Sequence, residues 1–330
     1  MSAISSRDPK PALVIAAFAV VYFVWGSTYA GILLALPWLP PFLLAGGRAL
    51  AAGVLLLLVL GRSAPRGTWR DWGRAAIAGG LMLTLGNGLV TWAEQQVPSN
   101  VAALVVAASP VFMVLLDWAR PGGQRPGKLI LIGAALGLCG VALLVSGPAA
   151  HDRPLQLGGT LALVAAAFSW AVGALFTRYT GGSGHTLANS ARQLVSGGLA
   201  LLVIAFIKGE WARWTPAPAS ALPVLAFVYL VVFGSLLGYT AYGWLLKVST
   251  AARVATTAFV NPAVAVLLGW ALLGEALSVR QTFGALVILA GVVLMTQRSS
   301  RPRLDVVAPA SQRDLPLSVP ASGVGAASGR

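Results

Sequence analysis

The sequence predicts an all-α integral membrane protein whose ten transmembrane helices form two inverted five-helix repeats, with both termini in the cytoplasm. The chain is 57% hydrophobic and only 10% charged, whereas soluble globular proteins carry about 25% charged residues. Uncharged runs such as 11–47 and 214–246 exceed the roughly 20 apolar residues that cross a bilayer. The phrase "AFVNPAVAVLLGWALLGE" at 258–275 also repeats the proline-to-tryptophan spacing of "AASPVFMVLLDWARPGG" at 107–123. Composition therefore excludes a soluble fold, and the repeated phrase indicates an internal duplication.

The ten helices are obtained by dividing the apolar runs at proline, glycine and clusters of charge. Their predicted ranges are 12–35, 40–61, 73–94, 99–118, 128–147, 157–178, 186–207, 220–245, 251–274 and 279–297. The first range is expected to be a retained helix rather than a signal peptide, because no convincing small-residue cleavage site follows it. Residues 1–11 form a short cytoplasmic tail. Residues 298–330, rich in Pro, Ser, Ala and Gly, are predicted to be a disordered cytoplasmic tail.

The lysines and arginines of the predicted loops set the orientation, because short cytoplasmic loops carry an excess of positive charge. With the N-terminus inside, the outer loops hold only Arg153, Lys208, Arg213 and Arg280. The inner loops hold many more, including the cluster from Arg62 to Arg74. Both termini are therefore predicted to be cytoplasmic.

Residues matched between the two halves extend well beyond the repeated phrase. Each half contains five predicted helices, at 12–147 and 157–297. Because five is odd, the second half enters the membrane upside down relative to the first, which is typical of secondary transporters. The matched pairs are Trp25 with Trp170, Arg48 with Arg192, Gly86 with Gly238, Trp92 with Trp244, Pro110 with Pro262, Gly133 with Gly284 and Gly140 with Gly291.

Three long motifs carry a family resemblance. They are "VWGSTYAG" at 24–31, "GNGLVTWAEQQVPSNVAALVVAASP" at 86–110 and "FVNPAVAVLLGWALLGE" at 259–275. The sequence resembles the EamA-domain permeases of the drug/metabolite transporter superfamily, and within them it is most similar to the YedA-like subgroup. The resemblance covers about residues 12–297 and implies a ten-helix carrier of two inverted halves. It is weak for substrate, because such permeases move amino acids, other metabolites and drugs.

Arg48 and Arg192 lie inside predicted helices two and seven, at matched positions approached from opposite sides. Ionisable groups within a membrane are costly and usually functional. The pair is therefore a candidate for binding a substrate carboxylate. The alternative is that each arginine snorkels to a lipid headgroup or braces neighbouring main-chain carbonyls.

Two glutamates end predicted helices near the outer face. Glu94 could hold a substrate amine or take a coupling proton, and its alternative is a solvated helix end. The resemblance favours the functional interpretation, because "AEQQVPSN" stands where the subgroup has its own acidic motif. Glu275 ends "LLGE", whose counterpart "ARPGG" has no carboxylate. We interpret Glu275 as a residue at the water boundary.

Asn87 stands between Gly86 and Gly88 in the middle of predicted helix three. The glycines permit close helix approach or a local break in the helix. Asn87 and its counterpart Tyr239 are candidates for substrate binding, and an interhelical hydrogen bond is the alternative for Asn87.

Pro110 and Pro262 are predicted to bend helices four and nine near their centres, because proline removes an internal hydrogen bond. Their neighbours Ser109 and Asn261 could re-satisfy the freed main chain or line a cavity. Whether the bends gate transport is a hypothesis.

Trp25 and Trp170 lie about thirteen residues into their predicted helices, away from the interfaces where tryptophan usually concentrates. They are candidates to line a cavity for apolar or cationic ligands, with plain packing as the alternative. Trp92 is included among the cavity candidates.

Enzyme chemistry and nucleic-acid binding find no support in the sequence. The net charge of +14 is explained by the topology of the basic loops. His151 and His185 fall in or beside loops without other ligands at metal spacing, and no nucleotide-binding motif is present. The lone Cys139 is interpreted as an inert thiol. We therefore predict no cofactor, no metal and no ATP-driven step.

The sequence as a whole predicts a secondary carrier of the cytoplasmic membrane that works by alternating access. Its expected task is export of small amphipathic metabolites such as amino acids, or of drugs. The expected partners are a small-molecule substrate, the lipid bilayer and, through Glu94, protons; an uncoupled facilitator is equally open. The alternative is a lipid or lipid-linked sugar translocase on the same scaffold, against which Asn87, Glu94 and Asn261 argue mildly.

Overall fold

The computed structural model describes residues 10–63, 65–93, 105–123, 125–145, 157–180, 186–214, 220–273 and 278–296. Within these ranges the regular structure is entirely helical, which confirms the predicted all-α class. The two predicted tails lie almost entirely outside the described residues, as do residues 94–104.

The helices occur close to the predicted ranges. They are α1 Pro11–Ala35, α2 Pro41–Leu60, α3 Trp69–Ala93, α4 Ser109–Ala119, α5 Lys128–Val145, α6 Leu157–Thr180, α7 Thr186–Ile207, α8 Leu222–Val248, α9 Thr257–Leu273 and α10 Val279–Thr296, with a short helix Ala251–Ala255 before α9. Among the described residues, stretches in α1, α2, α3, α6, α7 and α8 are long and apolar enough to cross a bilayer.

The N-terminus of α2 is capped from a distant part of the chain. α2 begins after Pro40 and has no side-chain cap of its own. The Leu43 amide instead donates to Glu210 Oε2 at 2.8 Å, and Glu210 follows the end of α7 with only 2% of its surface exposed. A carboxylate at this position stabilises the unpaired amides of the first turn. The sequence analysis did not single out Glu210.

Arginines at the predicted cytoplasmic end bind the carbonyls that helix C-termini leave unpaired. Arg178 Nη1 donates to the Leu246 carbonyl oxygen at 2.6 Å and also to that of Ser249. Arg253 donates to the Thr296 carbonyl oxygen at 3.0 Å. Basic side chains are favourable at helix C-termini, so these arginines connect α6 to α8 and the region before α9 to α10.

Small residues let the two halves of the chain approach closely in two helix pairs. A Cβ built at Gly46 of α2 would lie 3.0 Å from the Gly198 carbonyl oxygen of α7. One built at Gly133 of α5 would lie 2.6 Å from the Gly291 carbonyl oxygen of α10. Glycine at such crossings allows backbone-to-backbone packing, which drives helix association where lipid weakens the hydrophobic effect.

α3 and α8 each contain a π-helical segment, at Gly80–Asn87 and Leu230–Gly238 respectively. π-helical turns are rare and frequent at functional sites. The sequence suggested either close helix approach or a local break beside Asn87; the structure has a continuous helix with wider turns there, and Gly86 contacts Trp170 of α6. The two segments stand at matched positions of the two halves.

The two prolines occupy different settings. Pro262 lies inside α9, as predicted. Pro110 lies in the first turn of α4, after a turn at residues 107 and 108, where a missing amide costs little because it has no intrahelical partner. Residues 105 and 106 are also helical, so helix four is interrupted by the turn at residues 107 and 108, just before the proline at which the sequence predicts a bend.

We expect Gly133→Ala to lower the thermal unfolding temperature of the detergent-purified protein. The added methyl would meet the Gly291 carbonyl oxygen at 2.6 Å and the Met295 amide at 3.0 Å, so α5 and α10 would have to separate. Overpacking of this kind costs about 1–3 kcal/mol. Gly158→Ala is the matched control, because nothing lies within 4 Å of its Cβ position and alanine favours helix over glycine. Equal unfolding temperatures for the two variants would contradict the described crossing.

Candidate functional site

An aromatic cluster of Trp25, Trp170 and Tyr242 stands where α1, α6 and α8 meet. The ring centroids of Trp25 lie 5.8 Å from Trp170 and 4.9 Å from Tyr242, and those of Trp170 and Tyr242 are 5.9 Å apart. Both indole nitrogens are paired. Trp25 donates to the Gly234 carbonyl oxygen and Trp170 to the Tyr242 hydroxyl, each at 3.1 Å. The structure thus brings two predicted cavity residues into direct contact and adds Tyr242, which the sequence analysis missed.

Each tryptophan of the aromatic cluster rests on a glycine of a π-helical segment. A Cβ at Gly238 would lie 2.6 Å from Trp25 Nε1, and one at Gly86 would lie 3.0 Å from Trp170 Cε3. The π-helical segments therefore supply the space that the indole rings occupy. Any larger residue at 86 or 238 would displace the ring above it.

A buried polar network lies beside the aromatic cluster. The Tyr239 hydroxyl donates to Gln193 Oε1 at 2.9 Å, and Gln193 Nε2 donates to the Thr177 hydroxyl at 3.2 Å. Tyr239 is only 3% exposed and Gln193 only 2%. Tyr239, predicted as a cavity residue, therefore serves as an interhelical hydrogen-bond donor in this conformation. Gln193 was missed because a single glutamine in an apolar run gives no sequence signal.

A small open pocket borders this network at the predicted cytoplasmic end of α3, α6 and α7. Thr177 and Gln193 line this pocket, together with residues that include Asp71, Arg74, Thr180 and Asn189. Two members of the polar network therefore border this pocket.

The matched arginines have different environments. Arg192 is 7% exposed, donates to the Pro65 carbonyl oxygen at 2.7 Å, and packs where a Cβ at Gly67 would lie 2.5 Å away. It therefore anchors the loop between α2 and α3. Arg48 is partly exposed within α2, with Nη1 3.8 Å from the Cβ position of Gly234 on α8.

Asn261 is buried, with 8% exposure, and its Oδ1 has no hydrogen-bond partner among the described residues. It precedes Pro262 on α9, and its carbonyl oxygen lies 3.2 Å from the Cβ position of Gly26 on α1. Ser109 is also buried, at 8% exposure. These polar groups lie at the contact between α9 and α1 and at the start of α4.

Two further predicted residues are partly buried on α3. Trp92 packs against apolar clusters of the core. The main-chain carbonyl of Asn87 accepts a hydrogen bond from the Thr91 hydroxyl at 2.8 Å.

Polar side chains also connect the C-terminal ends of α4 and α6. The Tyr179 hydroxyl donates to Asp117 Oδ1, and Arg120 Nε lies 3.1 Å from the same oxygen. The Arg120 guanidinium stands 4.0 Å from the centre of the Tyr179 ring. The sequence analysis did not name these residues.

The predicted coupling residue Glu94 and the boundary residue Glu275 lie outside the described residues, so the structure does not place them. Within the described part of the chain, no group of three His, Cys, Asp or Glu side chains could hold a metal ion.

Comparison with known proteins places this helical arrangement in a family. A model of the EamA-like transporter family matches residues 12–146 and again residues 157–297. The protein from Escherichia coli K12 named as the uncharacterized inner membrane transporter YedA is 38% identical over 305 residues, which cover 90% of this chain and 95% of that protein.

More distant relatives match over a similar length. The protein PecM of Dickeya dadantii is 30% identical over 88% of this chain and 95% of its own length. A probable amino-acid metabolite efflux pump of Salmonella typhimurium is 26% identical over 83% of this chain and 92% of its own length. One solved crystal structure aligns with a TM-score of 0.71 at 20% identity, covering 86% of this chain and 97% of that chain, which supports the fold alone.

We expect Tyr239→Phe to destabilise the protein, because it leaves the buried Gln193 Oε1 without its donor. An unsatisfied buried acceptor costs about 1–3 kcal/mol, to be measured as a drop in thermal unfolding temperature in detergent. The double variant Tyr239→Phe with Gln193→Met removes both partners and should recover part of the loss. If the single variant unfolds at the wild-type temperature, the network does not have the strength that its geometry indicates.

Proposed function

Because the chain belongs to the EamA-like transporter family, we propose that it is a secondary active transporter that exports small amphipathic metabolites, such as amino acids, or drugs. It is a multi-pass protein of the cell membrane. In this proposal all ten helices cross the membrane, and the two five-helix halves form inverted repeats that alternate between inward- and outward-open shapes.

The observation that carries the proposal is the reciprocal contact between the halves at the aromatic cluster. Trp25 of the first half rests on Gly238 of the second, and Trp170 of the second rests on Gly86 of the first. The same sequence match pairs Trp25 with Trp170 and Gly86 with Gly238. A pair of contacts that exchange in this way is expected when a two-fold axis relates two equivalent units.

The crossing of α5 with α10 supports the same axis. A Cβ at Gly133 would meet the Gly291 carbonyl, and one at Gly140 would meet the Gly284 carbonyl at 2.8 Å. Gly133 is matched with Gly284 and Gly140 with Gly291, so each contact is the image of the other. Secondary transporters commonly bind substrate at the interface between inverted repeats, near the bilayer midplane.

Opening toward the cytoplasm would require contacts at the inner ends of the helices to break. The hydrogen bond from Tyr179 to Asp117 joins the second half to the first, at α6 and α4. The small open pocket lined by α3, α6 and α7 also lies between residues of the two halves. In our proposal, relative movement of the halves widens this pocket and exposes the aromatic cluster to the cytoplasm.

The substrate class and the coupling ion extend the proposal beyond the family. Export of amino-acid metabolites is supported by the name of the Salmonella relative and by polar groups such as Asn261 inside the helical bundle. Glu94 is our candidate for taking a coupling proton, because a carboxylate is the group that most readily exchanges protons near a transport path.

Reconstituted liposomes provide the test of function. We expect the purified protein to move radiolabelled amino acids or fluorescent drugs from a panel, and an imposed pH gradient to accelerate this flux. Glu94→Gln should abolish the acceleration while leaving downhill flux measurable, since the amide keeps the size of the side chain but cannot carry the proton. Empty liposomes are the control.

Two outcomes would contradict the proposal in different ways. Scrambling of labelled lipid without flux of any soluble solute would favour a lipid translocase on the same scaffold. Unchanged pH-driven flux in Glu94→Gln would remove that residue from the coupling role only.

Labelling of single cysteines provides the test of topology. Cys139→Ser removes the single cysteine of the sequence. In this background we expect Lys208→Cys to react with a membrane-impermeant maleimide in intact cells. Arg66→Cys should react only after permeabilisation, because the loops after α2 and α7 lie on opposite sides in inverted repeats. Labelling of both variants from the same side would overturn the inverted arrangement.

A further inference from the structure

We propose that Arg48 binds a carboxylate of the transported solute, so that the substrates of this protein are organic anions or zwitterions with an apolar body. This rests on the proposed function, because it assigns a charge preference to the same transport path.

Arg48 faces the interior of the helical bundle. Its Nη1 lies 3.8 Å from the Cβ position of Gly234, in the π-helical segment of α8. The Thr28 methyl of α1 lies 3.0 Å from that same position, and the preceding residue Gly47 faces Phe227 of α8. The guanidinium is therefore enclosed by α1, α2 and α8, and it is partly exposed.

The protein supplies no counter-charge for Arg48. Among the residues that the structure describes, its guanidinium has no ion pair, hydrogen bond or aromatic partner. The remaining described arginines are either exposed, as Arg62, Arg66 and Arg280 are, or have a partner: Arg70, Arg74, Arg120, Arg125, Arg178, Arg192, Arg213 and Arg253. Arg48 is the exception in this part of the chain.

Two main-chain carbonyls of the surrounding helices already have donors. The Gly234 carbonyl accepts from Trp25 Nε1 at 3.1 Å, and the Thr28 hydroxyl donates to the Trp25 carbonyl at 2.6 Å. These bonds hold the surroundings of Arg48 in place without neutralising it. A guanidinium fixed in a water-poor site binds a carboxylate through two parallel hydrogen bonds.

The comparison with Arg192 separates a binding role from an anchoring one. Arg192 occupies the matched position, but its guanidinium donates a hydrogen bond to the Pro65 carbonyl at 2.7 Å. Arg48 makes no such bond, although both arginines lie inside apolar helices. An unpaired charge inside a membrane protein is destabilising by itself, and such residues mark substrate or ion pathways.

The neighbouring aromatic cluster supplies the apolar part of the site. Trp25 and Arg48 both approach Gly234, so a solute whose carboxylate meets Arg48 can place its apolar body beside the Trp25 ring. A site of this kind discriminates by charge at one end and by apolar contact at the other.

The test compares solutes that differ only in charge. We expect liposomes with wild-type protein to move L-leucine and L-phenylalanine faster than L-leucinamide and L-phenylalaninamide. Arg48→Gln should reduce flux of the two carboxylates about tenfold or more, the effect expected from losing a charge-assisted hydrogen bond, and leave flux of the amides unchanged. Arg48→Lys should retain part of the carboxylate flux, and Arg280→Gln, at an exposed position, should behave as wild type.

Thermal unfolding distinguishes binding from a structural role. Arg48→Gln should unfold at or above the wild-type temperature, because it removes an unpaired charge, whereas Arg192→Gln should unfold at a lower temperature because it releases the Pro65 carbonyl. L-leucine should raise the unfolding temperature of wild type and not of Arg48→Gln.

Failure of the Arg48 assignment can be distinguished from failure of the proposed transport function. If wild type moves solutes and Arg48→Gln keeps its carboxylate preference, or if wild type prefers the amides, the assignment of Arg48 is wrong and the transporter remains. If wild type moves no soluble solute, the proposed function fails with it. Loss of labelled phosphatidylglycerol scrambling in Arg48→Gln, without solute flux in wild type, would assign the arginine to a lipid phosphate instead.

Discussion

The water-poor interior of a bilayer obliges a membrane protein to supply its own partners for main-chain groups and charges. This constraint explains the long-range polar contacts of the chain. Glu210 caps the amide of Leu43, and Arg178 and Arg253 bind carbonyls at the ends of other helices. Each of these bonds joins elements far apart in the sequence. The helix ends are thereby fixed relative to one another.

Between the fixed ends, the helices pack through small residues. Glycines at the crossings of α2 with α7 and of α5 with α10 bring backbone against backbone. At the centre, the π-helical segments replace such crossings with space for two indole rings. Glycine therefore serves two purposes in this fold, as the contact point of close helix crossings and as the space that the aromatic cluster occupies.

Two polar groups inside the bundle that lack a hydrogen-bond partner bear on the proposed function. Asn261 Oδ1 and the Arg48 guanidinium lack partners among the described residues, and both lie on helices that contact α1 or α8. Arg192 demonstrates that the fold can satisfy an intramembrane arginine when its role is structural. A polar group left unpaired inside the bundle lowers stability. Its retention is explained if a bound ligand supplies the missing partner.

By itself the sequence determined the helical class, the approximate helix bounds, the family and the central position of Trp25 and Trp170, because apolar run length and long motifs are local properties of the chain. It could not separate Arg48 from Arg192, since their sequence settings match and only tertiary structure decides which guanidinium meets a carbonyl. It did not find Gln193, Glu210 or Tyr242, whose roles depend on a partner on another helix. Likewise Tyr239 was expected to line a cavity, and only the fold placed Gln193 within reach of its hydroxyl. Composition fixes which segments enter the membrane, whereas hydrogen-bond partners more than a few residues apart are set by how those segments pack.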